Sequence, residues 1–165
     1  MAEEIVRLLS SQRKTIALAE SCTAGLAADL ITRIPGASKV FWGSFVTYTA
    51  DAKTKMLDVP EELVKKHGEV SRSVAMAMAE GALKKSSAFL ACSVTGLAGP
   101  GGDNSSTPLG TVWIGVAYQS GDTLDHLRCE AKKFHFSGSR DEVRKAAAAA
   151  VLEEVLRKIN GSEEL

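Results

Sequence analysis

No sign of charge dominates this chain: 20 lysines and arginines balance 20 aspartates and glutamates over 165 residues. A surface without a prevailing sign offers no electrostatic footprint for nucleic acid and none for an anionic membrane. It leaves room for a local basic pocket. Cysteine is scarce, and Cys22, Cys92 and Cys129 stand far apart in an odd number, which disfavours disulfides and suits a reducing compartment. None belongs to a C-x-x-C pair, so a zinc knuckle is not expected. No apolar run reaches the length of a membrane span. The start, Met1-Ala2-Glu3-Glu4, is acidic where a leader would be basic. There is no internal repeat. These absences predict a cytoplasmic protein without nucleic-acid or membrane partners. What is present is an apolar fraction of 45%, sufficient for a core in one domain covering 1–165.

Apolar spacing predicts a helix over 4–13, from Ile5, Val6, Leu8 and Leu9. Residues 15–19 read as a short buried strand, 23–34 as a helix ended by Pro35-Gly36, and 39–48 as a long strand rich in aromatic and β-branched side chains. Short helices are expected over 51–57 and 60–67, the second with proline in its first turn and stopped by Gly68. Ser71 can cap a long helix reaching residue 85. The uncharged stretch 88–94 reads as a central strand, and 111–118 with 123–134 as a β-hairpin around Ser120-Gly121-Asp122. A closing helix over 140–159 follows. Interleaved strands and helices, interrupted by a hairpin, predict an α/β fold: a three-layer α/β/α sandwich with a mixed, mostly parallel sheet. The tract 101–107 and the tail 161–165 read as flexible, and Trp42 and Trp113 as core residues.

Chemistry is most legible in Ala19-Glu20-Ser21-Cys22-Thr23-Ala24-Gly25, at a strand-to-helix junction. A serine there sits where backbone N–H groups converge, so charge developing on an attacked carbonyl oxygen can be held. Ser21 needs a base. His67, His126 and His135 have no spacing that singles one out. A neutral lysine is the other option, as in Ser–Lys variants of nucleophilic catalysis. Lys53 follows the long strand, but its local pattern is that of a solvated helix lysine. Local chemistry does not choose between histidine and lysine.

Thr95-Gly96-Leu97-Ala98-Gly99-Pro100-Gly101-Gly102 follows the central strand. Its glycines allow close backbone approach to a ligand, and the carboxyl end of such a strand is where open α/β sheets bind. The loop matches neither the Walker pattern nor the dinucleotide fingerprint, which disfavours ATP and NAD. Ser139, with Glu142 three residues on, forms a capping-box pattern that puts Arg140 in a helix's first turn. A cation there opposes the helix dipole unless an anion such as phosphate offsets it. An ordinary surface arginine is the equal alternative. Ser38 can cap a turn or enter a site.

Five stretches together resemble the CinA C-terminal domain family: 19–25, Gly43-Ser44-Phe45-Val46-Thr47-Tyr48, Ala52-Lys53, 94–100, and Pro108-Leu109-Gly110-Thr111-Val112-Trp113. Their order and spacing agree over residues 4–159. The family includes nicotinamide mononucleotide (NMN) deamidases. The resemblance implies hydrolysis of the nicotinamide carboxamide of NMN, in pyridine nucleotide salvage, with no cofactor and no metal. It places a Ser/Lys dyad on Ser21 and Lys53, and supporting or substrate-binding roles on Ser38, Tyr48, Thr95, Gly96, Gly99 and Arg140. The partner it implies is a small pyridine nucleotide; a homo-oligomer is compatible with it. Many relatives carry this domain behind a larger one, and a free-standing copy is expected here. Two positions depart from the pattern. Ala24 stands where glycine is common, and its methyl would strain the turn if a positive φ is in use. Ala50 stands where asparagine is common, leaving Thr49 or Asp51 to cap the next helix. A nucleotide-binding or regulatory module without turnover is the alternative; a DNA-binding role fits poorly with zero net charge.

Overall fold

Alternation along two central strands separates the layers of this computed structural model, which describes residues 1–102, 106–119 and 127–161. Strands β1 (Ile16–Glu20) and β3 (Leu90–Gly96) send Ile16, Leu18, Leu90, Cys92 and Val94 to one face and Ala17, Ala19 and Ala91 to the other. The bulky face packs against α1 (Ala2–Gln12), α2 (Leu26–Thr32) and α6 (Arg140–Gly161). The alanine face packs against α3 (Ala50–Leu57), α4 (Glu61–His67) and α5 (Arg72–Ser86). Small side chains let α5 come very near the sheet. A Cβ added at Gly115 would lie 2.5 Å from the Ala75 carbonyl oxygen, and the Ser93 hydroxyl donates to that same oxygen at 2.6 Å.

The remaining strands are β2 (Phe41–Val46), β4 (Thr111–Gln119) and β5 (Leu127–His135), and the sheet order is β2-β1-β3-β4-β5. β1 pairs in parallel with β2 and β3, while β4 pairs antiparallel with β3 and β5. Four strands therefore point one way and only β4 the other. The expected three-layer α/β/α sandwich with a mixed sheet, hairpin and closing helix is the fold observed. The hairpin turn at 120–126, with His126, lies outside the described residues, as do 103–105 and the tail 162–165.

Register gathers one end of the sheet. Glu20 pairs with Val46 and with Val94, and Gly96 pairs with Val112. The residues leaving β1, β2 and β3 thus meet the start of β4. Thr111 pairs with His135, which brings the start of α6 to the same end. Capping fixes the flanking helices. Thr49 accepts from the Ala52 N–H, Ser71 from the Val74 N–H, and Ser139 and Glu142 form the expected capping box.

Some expectations shift. The helix read over 23–34 begins only at Leu26, because 21–25 form a turn. The strand read over 39–48 narrows to Phe41–Val46, preceded by a 3-10 turn over Ala37–Lys39. Trp42 is not a core residue. It is 52% exposed on the edge strand β2 and stacks on Phe45, with centroids 5.3 Å apart. No helix among the described residues is long and apolar enough to cross a membrane.

Candidate active site

The turn after β1 is built around a buried carboxylate. Glu20 is fully enclosed. One of its oxygens accepts from the Thr23 hydroxyl and from the N–H groups of Gly25 and Ala27; the other accepts from the Ala28 N–H and the Ser44 hydroxyl. A carboxylate in a strand buried on both faces must find such donors. That requirement was the available sequence signal for a residue that otherwise passes as one letter of a motif. Arg144 holds the turn from α6, donating from Nε to the Cys22 carbonyl at 3.0 Å and from Nη2 to the Thr23 carbonyl at 3.1 Å. Ala24 has φ 49° and Gly25 φ 97°, so both occupy the left-handed region. The positive φ anticipated at Ala24 is in use, on a residue that disfavours it.

Within this frame the Ser21 N–H donates to the Val94 carbonyl at 3.0 Å, fixing the serine against β3. The N–H groups of Cys22 and Thr23 donate to no other backbone group among the described residues, so they are the turn's remaining donors. Cys22 is no rival nucleophile: burial pushes its thiol up to about 11, leaving little thiolate at neutral pH.

Lys53, on α3, is completely buried. Its Nζ lies 3.2 Å from Ser21 Oγ, 3.2 Å from the Thr47 carbonyl oxygen and 2.7 Å from Glu69 Oε2. A neutral amine here has two N–H groups for Thr47 and Glu69 and a lone pair for the Ser21 hydroxyl. His67 and His135 are exposed, and neither lines the cavity beside Ser21. Among the described residues, Lys53 is therefore the basic group in reach of Ser21.

That cavity, of about 180 Å³, is lined by Ser21, Tyr48, Glu69, Thr95, Gly96 and Arg140, with Gly99 and Gly101 from the glycine loop. Lys53 stands behind Ser21 rather than in the lining. Gly96 must approach closely: a Cβ there would meet Val112 Cγ2 at 2.7 Å and Cys22 Sγ at 3.2 Å. Thr95 donates its hydroxyl to the Glu69 carbonyl at 2.9 Å, so it secures the link between α4 and α5. Arg140 donates to the Gly99 carbonyl and to the Tyr48 hydroxyl, each at 2.6 Å. Two donors of a guanidinium's five are used, and the rest remain for an anion.

The structure thus brings together Ser21, Lys53, Tyr48, Thr95, Gly96, Gly99 and Arg140. It does not bring Ser38 there. Ser38 is exposed in the 3-10 turn before β2, where Val40 accepts from the Ile16 N–H at the opposite end of the sheet. Glu69 had no sequence signal at all, because its contact with Lys53 spans 16 residues and two helices.

A serine pinned at the carboxyl edge of a mixed α/β/α sheet, with a buried lysine against its hydroxyl, defines the class: an α/β domain with a serine at a cavity wall and a buried lysine behind it. The chain belongs to the CinA C-terminal domain family, which it matches over residues 1–159. It is 44% identical over 155 residues to a CinA-like protein of Geobacter metallireducens, covering 94% of this chain and 36% of that protein. A CinA-like protein of Thermotoga maritima is 39% identical over 163 residues, 99% of this chain and 38% of the relative. The chain therefore spans little more than a third of these relatives' length. Among solved structures, the competence/damage inducible protein CihA of Agrobacterium tumefaciens is similar at TM-score 0.82 and 37% identity, over 96% of this chain and 95% of that one. A CinA superfamily protein of Klebsiella pneumoniae is similar at TM-score 0.89 and 26% identity, over 97% and 96%.

Proposed function

We propose that this domain is a cytoplasmic amidohydrolase that cleaves the carboxamide of NMN to nicotinate mononucleotide and ammonia. The carrying observation is the 3.2 Å contact between Lys53 Nζ and Ser21 Oγ, made by a lysine with no exposure. Neutral Lys53 takes the Ser21 proton as the oxygen attacks the carboxamide carbon. The Cys22 and Thr23 N–H groups hold the oxyanion. Lys53, now charged, protonates the amide nitrogen so that it leaves as ammonia, and water then hydrolyses the nicotinoyl–serine ester. Arg140 and the loop containing Gly96 and Gly99 take the phosphate, while Tyr48 orients Arg140 through the 2.6 Å bond. Thr95 supports the site through the Glu69 backbone, and no metal is used.

The test is ammonia release from NMN by the wild type, Ser21→Ala and Lys53→Ala. The wild type is expected to release it and both variants to lose it; full activity in Ser21→Ala sinks the mechanism. A second reading has one observation behind it. The Glu69 carboxylate touching Lys53 suits an ammonium, which is not a base. A module that binds the nucleotide without turnover would be stabilised thermally by NMN and release no ammonia.

A further inference from the structure

We propose that Glu69 selects the substrate by the charge of its ring, favouring a cationic heteroaromatic amide over a neutral one. The proposal rests on the amidohydrolase reading and names what that site prefers.

The fold does not require a carboxylate at this position. The α4–α5 link is held through the Glu69 backbone carbonyl, by the Thr95 hydroxyl. The side chain is separate. It is 42% exposed and faces the cavity that holds Ser21 and Arg140. Its Oε2 contacts Lys53, and its Oε1 has no partner among the described residues.

Once Lys53 serves as an uncharged base, the Glu69 charge has no cation beside it. Among the described residues, no other charged group around the site forms an ion pair with Glu69. Arg140 is bound to the Gly99 carbonyl and the Tyr48 hydroxyl, and Arg144 to the carbonyls of Cys22 and Thr23. The Glu20 carboxyl oxygens are enclosed by donors of their own. Cys22 carries a buried thiol held in its neutral form. The cavity is therefore bipolar, with the Glu69 carboxylate on the side of the reacting hydroxyl and the unused guanidinium donors on Arg140. A complementary ligand has positive charge next to its amide and negative charge at its far end. An N-ribosylated pyridinium carboxamide phosphate has that distribution. Hydrolysis then places a new carboxylate near Glu69, and like charges disfavour keeping the product.

The experiment compares NMN with its reduced dihydropyridine form, which keeps carboxamide, ribose and phosphate but has a neutral ring. kcat/KM is measured for both with the wild type and Glu69→Gln; glutamine keeps the size and can still accept from Lys53. Comparing the ratio between the two proteins cancels the different intrinsic reactivity of the two amides. The preference for the cationic ring is expected to fall about tenfold in Glu69→Gln, mostly through NMN. An equal loss on both substrates, or an unchanged ratio, overturns the proposal and leaves Glu69 a positioning residue for Lys53. Calorimetric binding to Ser21→Ala and to Ser21→Ala/Glu69→Gln reads the same preference without turnover. If the wild type releases no ammonia from either substrate, the amidohydrolase reading falls. The ring-charge preference then stands if Ser21→Ala binds the cationic form more tightly and the double variant does not. It is overturned if both bind the two forms alike.

Discussion

Glu20 and Lys53 are both wholly buried ionisable side chains within a few residues or ångströms of Ser21, yet they are held in opposite ways. Glu20 has both oxygens saturated, by three backbone N–H groups and two hydroxyls. Nothing is left over for a ligand. Lys53 has three partners, of which one is the Ser21 hydroxyl and one a carboxylate open to a cavity. A buried charge is tolerated when its hydrogen-bonding capacity is met. Where it is met by the protein's own turn, as at Glu20, the group builds structure. Where it is met partly by groups at a cavity wall, as at Lys53, its partners can be exchanged during chemistry. The contrast predicts that Glu20 governs stability and Lys53 governs rate.

The largest expected effect sharpens the rate side. Ser21→Ala and Lys53→Met are each expected to lower ammonia release from NMN by about a thousandfold or more. Lys53→Met should lose no more stability than about 1–3 kcal/mol, because the buried Thr47 carbonyl loses its donor while the Glu69 carboxylate left behind is reached by solvent. Thermal unfolding beside a turnover assay checks both halves. Retained turnover in Lys53→Met breaks the comparison at once.

Next is Glu20→Gln, which should act through stability. An amide nitrogen cannot accept from the N–H groups that surround one carboxylate oxygen, so buried donors are left facing a donor. The cost is about 2–3 kcal/mol, a fall in Tm of roughly 5–10 °C for a chain of this size. Activity should fall with it, since the same carboxylate shapes the turn carrying Ser21. If Glu20→Gln unfolds like the wild type, the carboxylate is not the turn's keystone.

A smaller effect is expected at the cavity's cationic end. Arg140→Ala should lower kcat/KM for NMN about tenfold and leave hydrolysis of free nicotinamide nearly unchanged. Equal losses on the two would remove the phosphate role and return Arg140 to bracing Tyr48 and Gly99.

These contrasts also show where sequence reasoning reaches and where it stops. Caps at Thr49, Ser71 and Ser139 were legible because each joins residues three apart. The helices were legible from apolar spacing, as at Ile5, Val6 and Leu9, and the central strands from short uncharged apolar runs that are buried at almost every position. Ser21 stood out from its place between a strand and a helix. Lys53 did not, since Asp51, Lys53 and Lys55 read alike as a polar helix, and the burial of one depends on a turn 32 residues earlier. Glu20 and Glu69 were missed for the same reason. Glu20 draws four of its partners from the turn that follows it and Ser44 from β2, and Lys53 reaches Glu69 across the α4–α5 link; neither arrangement leaves a periodic trace. Trp42 was misplaced because nothing local says that a strand lies at the edge. Ser38 shows the reverse risk: it lies within the span 4–159 of the resemblance but outside its five stretches, and sheet direction puts it at the far end from Ser21.

The smallest prediction has the opposite sign and concerns the same turn. Ala24 sits at φ 49°, where a side-chain methyl crowds the backbone, and the residue is exposed. Ala24→Gly removes that crowding but gives the unfolded chain more freedom, and the two effects partly cancel. In a left-handed position the strain term is the larger, so the net gain is about 1 kcal/mol, or roughly 2–4 °C in Tm. Glu20 accepts from the N–H groups of Gly25 and Ala27 on the far side of this residue, so the turn is held in place with either side chain. Turnover should therefore change less than stability. A drop in Tm for Ala24→Gly would mean that the Glu20 network already absorbs the strain, making the turn a more rigid platform for Ser21 than its backbone angles alone indicate.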